Sequence, residues 1–430
     1  MCQTCTLNYH RTSKVWCEAC LSYSNTIGIS IAYVSAVGLF CLFIVVTSIK
    51  SAHKPRALHA TYLKSLMNYL QLVMLMGSFN LSWPTLTKEM LNIQDSAGNF
   101  SERLFTTDCL EDNFDENEAF YTKLLLLSAA PITFFALSSL GWLLVAVCKK
   151  SVSVLKNELV ASAIILFFLL HPSVMRVMFS AFNCEEVRSG EYWVSGLLVK
   201  CWEGKHLTYA LGVALPAIII WGLGVPGLIL GNMVVQRKRL KDLSVKIRYG
   251  FMIKGYDSSQ FYWEFIVIYR KLLIISIATF LSRIAKMTQA LLALSVLVLS
   301  LALQSHYQPY SHPSLNTMEQ RSILVSVTTL FFGLYYLDSS LGVAWHYCFF
   351  AATLAVNVYF LQFWLRNIMG AFFVMAVKRF VWLSKFFVVI NESSAVSYQV
   401  FAKRHRSSQA GARFLSQFTK GLYVQRMSRQ

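Results

Sequence analysis

The chain has 430 residues, 56% of them hydrophobic and 14% charged, with a mean hydropathy of +0.50. Soluble domains carry about 25% charged residues, so a water-soluble enzyme is excluded. The 39 Lys and Arg against 21 Asp and Glu leave a formal charge of +18, but in so apolar a chain that excess marks one side of a membrane and not a nucleic-acid partner.

Residues 1–25 are polar and hold no apolar core of the kind a cleavable signal peptide needs. Cys2 and Cys5, then Cys17 and Cys20, form two C-x-x-C pairs separated by eleven residues. Four thiolates at that spacing could hold zinc or close the last turn of an extracellular disulfide repeat. An oxidising outer compartment puts disulfides first. The chain starts inside this pattern, so residues 1–25 are expected to end a cysteine-rich extracellular region of a longer protein. Insertion of the first span as a reverse anchor is the other reading.

A helix crossing the hydrocarbon core needs about 20 mostly apolar residues. Nine stretches qualify: 26–49, 62–83, 120–147, 159–182, 207–235, 262–282, 287–305, 322–338 and 341–366. With the N-terminus outside, the inner segments, which include Lys50–Lys64 and His306–Arg321, hold 25 Lys and Arg against 10 in the outer ones. Asp and Glu lean the other way, 15 outside and 6 inside. The positive-inside rule then places the C-terminus in the cytoplasm. The expected fold is all-α: a polytopic bundle over 26–366, with outer loops 84–119 and 183–206 and a basic tail 367–430.

The first outer loop holds nine acids between residues 84 and 118 against Lys88 and Arg103, a net charge of −7. Its densest part is Asp108, Glu111, Asp112, Asp115, Glu116 and Glu118. An acidic collar at a membrane opening concentrates cations; a solvated, variable loop is the plainer alternative. Asn99-Phe100-Ser101 is an acceptor for N-glycosylation. Cys184 and Cys201 share the second outer loop and are expected to form a disulfide. Cys41, Cys148 and Cys348 lie in or beside spans and read as small packing residues.

The fifth span contains Pro216, Gly224 and Pro226. Such breaks suit a gating hinge or an ion-coordinating half-helix, and equally suit close packing through small residues. Charges inside spans are costly and point to function. Glu264, at the inner edge of the sixth span, could be interfacial, whereas Arg270 and Lys271 lie deeper and need a carboxylate, carbonyls or a water-filled path. His171, followed by Pro172, reads as structural. In the tail, Lys378, Arg379 and Lys385 fall on one face of an apolar stretch from Met369 to Ile390. That pattern suits a helix in the inner interface, its cations toward anionic headgroups. No phosphate-cradling Gly loop, H-E-x-x-H helix or G-x-S-x-G elbow occurs, so neither enzymatic activity nor a cofactor is expected.

One ordered set of motifs runs through residues 60–340. It begins with Met67-Asn68-Tyr69-Leu70-Gln71, Phe79 and Trp83-Pro84, followed by Cys184, Cys201-Trp202 and His206. Arg248-Tyr249-Gly250-Phe251, Gly255-Tyr256, Tyr262-Trp263-Glu264 and Arg270-Lys271 follow, then Gln304, Pro309-Tyr310, Asn316 and Glu319. The set resembles the TRP-like (polycystin-related) multi-span proteins of protists and fungi. The resemblance implies a cation-permeable channel, with calcium among the permeant ions, in a surface or internal membrane. In many protist members a cysteine-rich extracellular region precedes the first span.

The expected function is therefore a TRP-like cation channel subunit gated by membrane or lipid state. Its partners would be cations, anionic inner-leaflet lipids and copies of itself, in the plasma membrane or another membrane of the secretory and endolysosomal system. The alternatives are a lipid or small-solute transporter, scramblases included, and a non-conducting anchor or receptor for a larger ectodomain.

Overall fold

The computed structural model describes residues 9–11, 17–19, parts of 28–49, 58–77, 79, 81–98, 116–149, 155–188, 191–194, 199–240, 242–281, 286–338, 340 and 342–379. Two compact units are distinguished, residues 1–360 and 361–430. The helices are α1 (Leu58–Gly77), α2 (Thr85–Gly98), α3 (Glu116–Lys149), α4 (Leu155–Ser180), α5 (Gly204–Val235), α6 (Leu243–Ile253), α7 (Trp263–Phe280), α8 (Lys286–Tyr307), α9 (Pro313–Tyr335) and α10 (Val343–Arg379). Residues 41–47 are also helical. Two small antiparallel ribbons accompany them, β1 (Tyr9–Arg11) with β2 (Cys17–Ala19), and β3 (Cys184–Arg188) with β4 (Glu191–Val194).

Among the described residues, five helices are long and apolar enough to cross a membrane: 120–147, 155–180, 204–235, 286–307 and 343–372. This is the composition of a membrane-embedded bundle. The stretches 62–83, 262–282 and 322–338 correspond to α1, α7 and α9, which have 20, 18 and 23 residues but carry buried polar and charged side chains. Burial sorts the apolar helices. The apolar stretch of α4 is 78% buried, against 11%, 22% and 28% for α3, α5 and α8. The outer three turn Leu137, Leu144, Ile219, Leu228 and Leu299 outward. In water such a surface would aggregate; against acyl chains it costs nothing.

Successive long helices run between two ends. One carries the β3–β4 ribbon, where Phe182 packs on Phe280 and Lys205 pairs with Glu118. At the other, Tyr256 and Tyr310 stack and form an isolated β-bridge. These are called the ribbon end and the tyrosine end. At the latter Gly255 adopts φ +91, and a Cβ there would lie 2.6 Å from Thr61 Cγ2, so only glycine fits the turn.

Three expectations change. Residues 85–98 of the expected outer loop form α2, which folds back along α1 so that Leu91 faces Gly77 and Gln94 reaches Tyr69. Its polar composition hid an amphipathic helix that buries Leu91 and Gln94 and exposes Lys88 and Ile93. Helix α9 starts at Pro313, nine residues before the expected span, because proline is favoured in a first helical turn. Finally, α10 continues unbroken to Arg379. Lys378 and Arg379 therefore end a 37-residue helix and do not sit on a separate interfacial one.

Candidate functional site

Helices α1, α7 and α9 meet along a buried polar seam. At the tyrosine end, Lys64 of α1 forms an ion pair with Glu264 of α7, the two being 4% and 0% exposed. Lys64 Nζ also donates to the Phe251 carbonyl at 3.0 Å and lies 4.8 Å from the Tyr256 ring centre. Tyr256 Oη donates to Glu264 Oε2 at 2.9 Å. Its proton being so used, the 3.2 Å bond between the tyrosine hydroxyls has Tyr310 as donor. Burial, then the neighbouring carboxylates, holds both hydroxyls well above the ordinary tyrosine range, so they stay protonated as donors.

Further along α7, Arg270 Nη2 pairs with Glu319 Oε1 of α9 at 3.0 Å. Lys271 turns toward α1, donating to Asn68 Oδ1 at 2.7 Å and Gln71 Oε1 at 2.6 Å, with the Phe168 ring of α4 4.9 Å from Nζ. Carbonyl oxygens and an aromatic face thus replace the carboxylate that a buried ammonium ordinarily has. Three cations and two carboxylates share this seam.

The polar lining continues on α9. Asn316, Glu319, Ser322, Ser326 and Thr329 recur at spacings of three and four, and all are buried. Such a spacing puts them on one face. Asn316 Oδ1 accepts from the Tyr310 backbone N–H and from Gln304, which in turn accepts from the Trp263 indole. Toward the ribbon end, Asn357 Nδ2 donates to Thr329 Oγ1 at 3.2 Å, and Asn357 Oδ1 accepts from Tyr69 at 2.5 Å and from Gln94 of α2 at 3.3 Å.

Beyond that point the lining becomes apolar. Gly333 lies one turn past Thr329, and a Cβ on it would meet Trp83 Cη2 at 2.4 Å and Leu81 Cδ1 at 2.8 Å. The Trp83 ring therefore rests on bare α9 backbone, held by its N–H on the Phe79 carbonyl at 2.9 Å and by edge contact with Tyr336. Phe79, Leu81 and Met76 complete an apolar cap over the seam.

Of the candidates named from sequence, Glu264, Arg270 and Lys271 all lie in this seam. Glu264 is buried and paired rather than interfacial, because α6 and the Gly255 turn cover it. Lys64 and Glu319, which the sequence counts among the charges of the inner segments, are both helical and buried. The three-and-four polar spacing on α9 was the available signal for Glu319. His171 packs its ring on Phe167 of its own helix.

Pro216 and Pro226 each follow a wide helical turn, 210–214 and 218–224, within an unbroken α5. A wide turn absorbs the hydrogen bond that proline cannot donate. Gly224 faces outward, while Gly222 touches Met175, where a Cβ would meet Sδ at 3.2 Å. Glu116 opens α3, and exposed Glu118 pairs with Lys205 at 2.5 Å. Cys348 is exposed, so it is not an internal packing residue, whereas Cys41 is buried. Cys17 lies in β2. Asp108, Glu111, Asp112, Asp115, Asn99, Cys2, Cys5, Cys20 and Lys385 lie outside the described residues.

Cys184 and Cys201 are joined by a disulfide across 17 residues. His206 lies beside them, and its ring ties the ribbon to α4, with Nδ1 accepting from the Trp202 N–H and Nε2 bonding the Ala181 carbonyl, both at 3.0 Å. All three residues are thereby engaged in holding the ribbon. Cys201→Ser is expected to lower stability by about 3 kcal/mol, the chain-entropy value for a loop of this size. A thermal melt with and without reductant checks it: reductant should shift the wild type by more than it shifts the variant.

No protein-family profile matches the chain, and no solved structure matches it. The chain is similar to cysteine repeat modular protein A of Toxoplasma gondii, 22% identical over 411 residues that take in 77% of this chain. It spans only 13% of the length of that relative.

Proposed function

We propose that this chain is the membrane part of a cation channel subunit of the TRP-like kind, oriented with its ribbon end outside and its tyrosine end in the cytoplasm. The observation that carries the reading is the buried seam. Charged side chains inside a membrane bundle are retained chiefly on ion or substrate paths, and here five of them line one inter-helix face that continues as polar side chains toward the ribbon end. The apolar cap of Trp83, Leu81 and Phe79 over Gly333 would act as a hydrophobic gate in its closed form. The acidic residues Asp108 to Glu118 would recruit cations outside, and the basic tail with Lys378, Arg379 and Lys385 would register anionic lipid inside. The C-x-x-C pairs near the N-terminus fit an ectodomain of the kind the relative's name describes.

Reconstitution of the full chain in liposomes tests the reading. Cation flux under voltage, stretch or calcium is expected, and its absence under all three rejects conduction. Flipping of labelled lipid without ion flux would instead favour the transporter reading. Neutralising Asp108, Glu111, Asp112, Asp115, Glu116 and Glu118 together should lower conductance at low ionic strength. The loss should fade once the Debye length shrinks to about 3 Å in 1 M salt. Equal conductance at low salt would remove the collar.

A further inference from the structure

We infer that His206 is an acid-released latch at the ribbon end. In its neutral form it holds the turn that carries Trp202, and a proton at Nδ1 lets that turn go. The inference goes beyond the channel reading and takes from it only that the ribbon end faces outward.

The hydrogen bonds fix the state of the ring. A carbonyl only accepts, so Nε2 carries a proton and donates it to Ala181 at 3.0 Å. A backbone N–H only donates, so Nδ1 is bare and accepts from Trp202 at 3.0 Å. The imidazole is therefore neutral and in a single tautomer. A second proton can go only to Nδ1, where it would point at the Trp202 N–H. That bond must then break. The bond to Ala181 survives and strengthens, because its donor becomes charged and lies just past the C-terminal end of α4. Acid thus acts on one side of the ring alone.

The turn on that side is strained. Trp202 has φ +67 and Gly204 φ +50, a left-handed conformation that suits glycine and is costly for tryptophan. The Trp202 ring is exposed and rests on Phe182 and, nearly at right angles, on His206, with ring centres 6.1 and 5.7 Å away. His206 itself is 1% exposed, and a ring nitrogen lies within 4.8 Å of both disulfide sulfurs. Once Nδ1 is protonated, the Trp202 N–H has only water to turn to, and reaching it opens the turn.

Among the described residues no carboxylate bonds to the ring to offset its charge. The end of α4 brings the Ala181 carbonyl and Phe182, and the ribbon brings the uncharged disulfide. Tyr209 of α5 follows one turn on, with Tyr121 of α3 packed against it. The charged groups of this end, Lys200 with Glu203 and Lys205 with Glu118, are exposed and paired with each other. His206 belongs to the outer segment 183–206, ahead of the expected span. Burial holds its imidazole below the ordinary histidine value, with the Ala181 carbonyl pulling the other way. The unfolded chain therefore takes up the proton first. The latch contributes in full above about pH 6.5, and its contribution falls as the pH drops below that.

The test is amide hydrogen exchange on the full chain in detergent micelles at about pH 7.5 and about pH 5, either side of the ordinary histidine value. Each rate is divided by the chemical exchange rate at that pH. Exchange in 199–206 should rise about tenfold in acid, the weight of one hydrogen bond. Strands β3 and β4, still tied through Ala181 and the disulfide, should keep their protection. His206→Asn puts a carbonyl oxygen near the place of Nδ1 and takes up no proton, so its exchange should be the same at both pH values. Unmoved exchange in the wild type, an equal acid loss in β3 and β4, or an acid response retained in folded His206→Asn would each overturn the latch. If that variant loses its melting transition, the wild type decides alone, through 199–206 against the ribbon strands. No flux enters the measurement. A bundle that conducts nothing leaves the latch standing, and unmoved exchange in a conducting one removes the latch alone.

Discussion

Glu319→Ala is expected to destabilise the bundle by about 3–5 kcal/mol, the range for breaking a buried ion pair from one side. The size comes from what is left behind. Arg270 is almost fully buried, and its Nη2 pairs with Glu319 Oε1 at 3.0 Å while its Nε has no other partner among the described residues. Without the carboxylate, a guanidinium remains in a low-dielectric interior that is already one positive charge in excess. Removing both partners behaves differently. The pair Arg270→Met and Glu319→Leu should cost far less than the single change, since buried pairs replaced by apolar groups are often neutral in stability. Unfolding followed by helical signal in detergent micelles reads both, and the double-mutant cycle isolates their coupling. Equal losses for the single and double variants would mean that the carboxylate serves the fold through something other than Arg270. The same logic makes Lys64→Ala milder for the fold than Glu264→Ala, because Glu264 retains Tyr256 as a donor whereas Lys64 would face only a carbonyl and ring faces.

The helical class, the apolar helices and the residues of α7 that matter were legible in the sequence because each is a local property. Runs of Leu, Ile and Val reveal α4 and α5, and Arg270-Lys271 stands out in an apolar window. The partners were not legible, since pairing is a tertiary property. Lys64 meets Glu264 across 200 positions of sequence, and Lys271 meets Asn68 and Gln71 across 203 and 200. The expected spans 62–83 and 322–338 leave Lys64 near an inner edge and Glu319 beyond one, because hydropathy falls where charges enter the window; α1 and α9 begin earlier, at Leu58 and Pro313, and hold both charges in their interiors. Helix α2 was hidden for the converse reason. Lys88, Glu89 and Asp95 make its composition that of a loop, and only the spacing of Leu91 and Gln94 betrays the face laid against α1. Asn68, Gln71 and Trp83 are marked in the sequence only by the family resemblance; the seam and its cap give each of them a physical place.

Trp83→Ala is expected to cost about 3 kcal/mol, the lower end for removing a tryptophan side chain, because the ring is half-buried. Its larger effect falls on the cap. Helix α9 tolerates a glycine in its last turns at Gly333, where alanine would favour the helix by about 1 kcal/mol, since the Trp83 ring occupies the space a Cβ would need. The polar face that runs from Asn316 to Thr329 ends beneath that ring. Removing it uncovers the face at the ribbon end and lets water reach Thr329 and Asn357. Vesicles carrying Trp83→Ala should show about tenfold more stimulus-free flux than wild type, which corresponds to lowering a gating barrier by about 1.4 kcal/mol. Gly333→Val approaches the same contact from the other side. Its branched side chain must displace Trp83 from Phe79 and Tyr336, at about 1–3 kcal/mol for overpacking, and should also raise basal flux. Tryptophan emission separates this from general loosening: Trp83 entering water should shift the spectrum to the red, and the shift should vanish in the Trp83→Phe, Gly333→Val double variant. Wild-type flux in both folded single variants would leave the cap as packing and place the barrier deeper, at the level of Thr329 and Asn357.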